Sequence, residues 1–304
     1  MEAALILARQ ILIMFIYMGI GYVLFKKNLI TKEGSKSLAH LLLYCILPCV
    51  IIRSLAMAQT ETGSALIISF VISTAALALA MLVSKLLFHN NPTDNFGCSF
   101  SNAGFMGFPL IAAILGGKAV FYAASFVALL NALQWTYGQW ILSKNRALVS
   151  GKAVLQNPIV ISMLIGLIIF ATNLQLPDII TDTMNSIANL NAPVAMIILG
   201  IYMAQTEVGK MLVEPRLYYV SIIRLLLIPG LTLGLILLMP QSWHRIAAPI
   251  LIAAAAPIGS NVAVYAQKLN LDYTYAVQVV CVSTILSLVC MPLVIGLAAT
   301  LGCL

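Results

Sequence analysis

The stretch Ser101-Asn102-Ala103-Gly104-Phe105-Met106-Gly107-Phe108-Pro109-Leu110 lies inside an apolar segment long enough to cross a bilayer, yet it cannot run on as a plain helix. Pro109 has no N–H for the carbonyl four residues back, so the helix is expected to open near Phe105. Gly104 and Gly107 let the chain bend and let another backbone come close. In hydrocarbon every backbone polar group needs a partner, so a break is tolerated only inside protein or beside a wet cavity. A second stretch of this kind, Ala256-Pro257-Ile258-Gly259-Ser260-Asn261, lies in the other half of the chain. One such stretch reads equally well as an ordinary proline kink. Two in corresponding places point to the binding site of a secondary transporter.

Charged residues make up only 8% of the chain, against about 25% in soluble domains, while 62% is hydrophobic and the mean hydropathy is +1.04. This is the composition of an all-α polytopic membrane protein. The net charge of +7 does not signal nucleic-acid binding, because the basic residues sit in short loops between apolar runs. Lys26 and Lys27 follow the first apolar run, whereas a cleavable signal has its positive region in front, so no signal peptide is expected. The six cysteines form no CxxC and no cluster with histidine, so neither a metal nor a cofactor is expected.

Ten spanning segments are expected, at about 5–25, 37–57, 64–88, 94–115, 119–143, 155–172, 183–204, 217–239, 245–267 and 273–301, each near the length that a bilayer core requires. Loops after odd-numbered segments hold eleven basic residues (Lys26, Lys27, Lys32, Lys36, Lys85, Lys144, Arg146, Lys152, Lys210, Arg216, Lys268). The other side holds four (Arg9, Arg53, Lys118, Arg245). This asymmetry puts both termini outside a cytoplasmic (inner) membrane. The halves match: Pro48 in segment two and Pro193 in segment seven, Pro109 in segment four and Pro257 in segment nine. Residues 1–143 and 155–304 then form two five-helix repeats joined by a basic cytoplasmic linker, 144–154. Five is odd, so the second repeat is inverted.

The pattern Asn-x-Gly-x-Met-Gly-x-Pro-Leu at Asn102–Leu110 resembles the fourth helix of the auxin efflux carrier family. Leu47-Pro48, the run from Arg224 to Pro229, and Pro257-x-Gly-x-Asn261 resemble the same family, in order and at matching spacing. The short central linker is similar to that of the bacterial members, often called malate or malonate permeases. The resemblance implies ten helices in two inverted repeats, a scaffold bundle and a transport bundle, and broken helices four and nine crossing at the substrate site. Auxin efflux carriers are in this respect similar to bile-acid sodium symporters. A homodimer is left open.

Broken helices offer unpaired backbone N–H ends, which carry partial positive charge and favour carboxylates. Asn102, Ser260 and Asn261 add neutral donors and acceptors. The candidate substrate-binding set is therefore Asn102, Gly104, Gly107, Pro109, Asn131, Pro257, Gly259, Ser260 and Asn261. For Asn102 and Asn261 the alternative is a cap on the broken helix. Tyr44, Pro48 and Asn191 are candidate cavity residues beside the matched prolines, and Gln134, Gln139 and Gln278 are further polar residues expected to avoid lipid, either lining the cavity or joining helices by hydrogen bonds. Trp135, Trp140 and Trp243 read as interface or packing aromatics, and His40 as a partly solvated histidine. Arg224 lies deep in the run Val220–Ile228. It could balance a substrate carboxylate, bind the end carbonyls of a broken helix, or snorkel to the interface.

These features favour a carrier for a small organic anion in a lipid bilayer. An intramembrane enzyme would need clustered His and acids, but the nine acids fall in loops or at helix ends and the three histidines are scattered. A membrane sensor that binds the anion without moving it is the other alternative. Coupling to H+ or to Na+ is not legible, since no acid is expected inside the bilayer, although Asp94 at a loop could carry a proton.

Overall fold

A computed structural model describes residues 2–56, 63–144, 156, 158–206, 208–269 and 271–304. They form α1 (Glu2–Lys26), α2 (Lys32–Ala56), α3 (Gly63–Phe88), α4a (Pro92–Ser99) with α4b (Ala103–Leu115), α5 (Gly117–Ser143), α6 (Pro158–Thr172), α7 (Asp178–Ala204), α8 (Pro215–Leu237), α9a (His244–Ala255) with α9b (Asn261–Lys268), and α10 (Tyr273–Thr300). Six of them, α2, α3, α5, α7, α8 and α10, are long and apolar enough to cross a membrane; α1, α4b and α6 contribute shorter apolar runs. The protein is all-α and polytopic. The expected segments four and nine are each divided in two. Of the expected linker 144–154 only Lys144 lies within the described residues, and its left-handed φ of 54° ends α5. The side chain of Trp135 also lies outside them.

Exposed apolar stripes mark the lipid face. On α1 they are Leu12, Ile16, Ile20 and Val23, spaced as one helix face. The opposite face, Met14, Met18 and Gly21, packs along α7. There the backbones touch: a Cβ on Gly21 would overlap the Ile197 carbonyl, and one on Gly200 would overlap that of Met18. Small residues that admit such approach are the usual means of joining helices where lipid removes the hydrophobic drive. In the same way α6 lies along the second half of α2, with Gly166 seated against Leu55. The central element is α5, with 76% of its apolar window buried against 39% for α2 and α3. Hydroxyls tie α3 to it: Ser69 Oγ donates to the Tyr122 carbonyl at 2.6 Å, and Ser73 meets Ser125 at 3.0 Å.

Three prolines share one device. α2, α4b and α8 contain five-residue π-turns, Leu42–Ile46, Ala103–Gly107 and Ile223–Leu227. Each ends two residues before a proline: Pro48, Pro109 and Pro229. The N–H groups of Leu47, Phe108 and Ile228 reach the carbonyls of Leu42, Ala103 and Ile223, five residues back. The wider turn moves the ring away from the carbonyl it would otherwise strike. This corrects the expected opening near Phe105, because Pro109 sits in an unbroken helical path. It also corrects Tyr44. The extra residue in its turn leaves Tyr44 63% exposed on the outer surface, while Leu43 and Leu47 face inward. A fourth π-turn, Gln134–Gly138 in α5, precedes no proline.

Candidate functional site

Non-helical backbone lies at Phe100–Asn102 and at Ala256–Ser260. Phe100 is fully extended (φ −123°, ψ 113°), and the two breaks pair as a single antiparallel bridge between Ser101 and Ile258. The Asn102 N–H donates to the Pro257 carbonyl at 2.7 Å, and the Gly259 N–H donates to the Phe100 carbonyl at 3.1 Å. The crossing thus satisfies main-chain groups that a helix end would strand in hydrocarbon. Gly259 is required by this approach, since a Cβ there would sit 3.1 Å from the Ser101 carbonyl oxygen. The break in segment four precedes Ala103, upstream of Pro109, whereas Pro257 lies inside its own break.

The C-terminal carbonyls of α4a and α9a are held by one side chain. Arg224, 1% exposed, donates to the carbonyls of Cys98 at 2.9 Å, of Ala256 at 3.2 Å and of Ala254. Its fixed fork suits several acceptors at once, and its charge complements the negative ends of two helices. It does not snorkel. No acid among the described residues forms an ion pair with it. Ser101 Oγ adds a bond to the Ala253 carbonyl at 2.8 Å, and Ser283 on α10 accepts from the Ile258 N–H at 3.2 Å. What faces the crossing is therefore the positive, N-terminal side of α4b and α9b.

A cavity of about 20 Å³ lies at this point, lined by Asn102, Gly104, Asn131, Gly259, Ser260 and Asn261 together with Gln134, Leu43 and Leu47. That is room for about one water, so the crossing is closed. Asn102 is buried and does not cap the helix that it precedes. Asn261 donates to Gln134 Oε1 at 2.7 Å. Asn131 donates to the Val127 carbonyl at 2.8 Å, which leaves its oxygen for the cavity. Gly107, Pro109 and Pro257 do not line it: Gly107 packs against the Ala253 backbone and Pro109 borders a separate cavity. Pro48 stands one residue beyond the lining Leu47. Asn191 donates to the Gly104 carbonyl at 2.9 Å, fastening α7 to α4b.

Gln134, expected from the sequence as a polar residue that lines the cavity or joins helices but left out of the candidate substrate-binding set, lines the same cavity as Asn131. It is 1% exposed, its Nε2 has no partner, and it heads the proline-free π-turn. The available signal was its spacing of three from Asn131, which puts both on one face of α5. Asp94 stands at a helix end, as the acids are expected to, but not as a solvated loop residue. It is fully buried in the first turn of α4a, bonded by Arg216 at 2.5 and 2.9 Å and by the Tyr275 hydroxyl at 2.7 Å. Arg216 of α8 and Tyr275 of α10 cover it.

Compared with known families, the chain matches the model described as "Membrane transport protein" in two stretches, residues 6–153 and 147–295. No match is found among curated proteins.

Proposed function

The chain belongs to the membrane transport protein family, that of the auxin efflux carriers, and on that premise we propose that it is a secondary carrier for a small organic anion. The cargo is a mono- or dicarboxylate such as malate or malonate, moved across the cytoplasmic membrane by alternating access. The observation that carries this reading is the crossing of two broken helices whose negative ends are masked by Arg224, an arginine with no acidic partner among the described residues. The remaining N–H ends and amides offer an anion a site without a competing carboxylate.

Two inverted five-helix repeats, 1–143 and 155–304, account for a symmetry in the packing. α1 lies on α7 as α6 lies on α2, which is the exchange that swapping the repeats demands. In this reading α1, α2, α6 and α7 are the scaffold, and the remaining helices, with both broken ones, are the moving bundle. Both termini face outward. A cysteine placed at Ser150, in a background without native cysteines, should then react only with a membrane-permeant reagent. Labelling by an impermeant reagent in intact cells would reverse the orientation.

The test of function is a current measurement on solid-supported membranes bearing the reconstituted protein, with carboxylates supplied in turn. Independent pH and sodium gradients assign H+ or Na+ as the coupling ion. Asn102→Ala and Asn261→Ala are each expected to lower transport at least about tenfold with melting temperatures nearly unchanged, because each removes a cavity amide worth roughly one hydrogen bond or more. Unaltered kinetics in both would remove these residues from the site, and binding without any current would make the protein a sensor.

A further inference from the structure

Beside the crossing lies a second cavity of about 140 Å³, lined by α2, α4b, α5 and α7 and open on one side. This is several times the roughly 30 Å³ that a water occupies in the liquid. Its polar lining is Arg53, Asn189 and Asn191. Arg53 also lines a neighbouring cavity of about 220 Å³, formed with the turn at Leu174–Asp178. The two cavities share this side chain as a wall and make one polar course along α2. At its inner end stands Asn191, whose amide reaches the Gly104 carbonyl at 2.9 Å, and Gly104 lines the crossing itself. One hydrogen bond separates the course from the crossing.

Two of the polar side chains along it, Asn191 and Arg53, have hydrogen-bonding capacity left over. Asn191 is 3% exposed and its Oδ1 has no hydrogen bond. The amide cannot be turned round, because the Gly104 carbonyl only accepts and the nitrogen must face it. A buried acceptor without a donor favours any ligand that brings one. Arg53 donates to the neutral Asn189 Oδ1 at 3.0 Å and pairs with no carboxylate among the described residues; Asp178, on the outer cavity, makes no ion pair with it. Its planar fork is suited to a carboxylate.

We infer that Arg53 and Asn191 form a loading site, one step before the crossing, for an organic acid that carries a hydroxyl beside its carboxylate. Arg53 takes the carboxylate and Asn191 Oδ1 accepts from the hydroxyl. Binding there competes with nothing at the crossing and delivers the anion to the Asn191–Gly104 contact, which must part for it to pass. The inference rests on the carrier reading and narrows it to hydroxy acids.

The experiment uses the whole protein in nanodiscs and two probes that differ by one hydroxyl, malate and succinate, with affinity read from thermal-shift titrations. The wild type is expected to bind malate roughly tenfold more tightly than succinate, the effect of about one neutral hydrogen bond. Asn191→Ala should bring that ratio close to one. Arg53→Gln should weaken both acids by about tenfold or more and keep their ratio, and Arg53→Lys should recover part of the loss. If Asn191→Ala does not fold, the Arg53 pair and the wild-type ratio decide. Equal affinities in the wild type, a ratio untouched in Asn191→Ala, or full affinity in Arg53→Gln would each overturn the loading site, and labelled malate uptake into proteoliposomes made with the same proteins would leave the carrier reading standing. Neither binding nor uptake of either acid would overturn both.

Discussion

Gly200→Leu is expected to yield almost no folded protein, and Gly21→Leu the same. At each position a single added Cβ already overlaps a carbonyl of the facing helix, so even alanine forces α1 and α7 apart along their contact. Overpacking commonly costs about 1–3 kcal/mol, and here the obstacle is backbone, which cannot turn aside as a side chain can. The alanine variants should therefore lose about 3 kcal/mol. The leucine variants should run as aggregate on gel filtration in detergent. Gly19 is the control: nothing lies within 4 Å of a Cβ there, and Gly19→Leu should behave as wild type. A monodisperse Gly200→Leu protein with an unchanged melting temperature would show that α1 and α7 do not meet in this way.

The second large effect belongs to Arg224→Met. Methionine fills part of the volume but offers no donor, so the carbonyls of Cys98, Ala254 and Ala256 lose their partner together. Each buried acceptor left unmade costs about 1–3 kcal/mol, and the loss falls on both broken helices at once. The variant should melt far below the wild type and carry no current. Arg224→Lys keeps the charge but not the fork and should restore only part of the stability. A lysine variant with full stability and no transport would instead put the guanidinium on the substrate. Unimpaired melting and transport in Arg224→Met would dismiss both roles.

How far the sequence speaks differs from residue to residue. The paired interruptions at Ser101–Leu110 and Ala256–Asn261 are legible because proline and glycine report backbone constraints directly. The site of the first break is not, because a π-turn can absorb a missing N–H, and that choice is made by packing rather than by the local sequence. The same turn moves Tyr44 outward by one position and brings Leu43 and Leu47 in. Arg224 stands out as a charge in an apolar run, yet its partners are main-chain carbonyls 30, 32 and 126 residues away, which no side-chain pattern records. Asp94 resembled a loop acid because its burial comes from Arg216 and Tyr275, brought in by α8 and α10. Gln134 is legible only as one of several polar residues kept from lipid, and the orphaned amide sets it apart from Gln139 and Gln278; Arg53 reads as a loop cation until the shared cavity wall singles it out.

The bridge between Ser101 and Ile258 has a bearing on how such proteins diversify. It is made by main-chain atoms, so it does not depend on which side chains occupy the two breaks, apart from the small residue that the approach demands at Gly259. If the proposed carrier reading holds, substitutions at Asn102, Ser260 or Asn261 would retune what the pocket accepts while the crossing keeps its shape. On that reading, the frame would tolerate a change of cargo without a loss of fold.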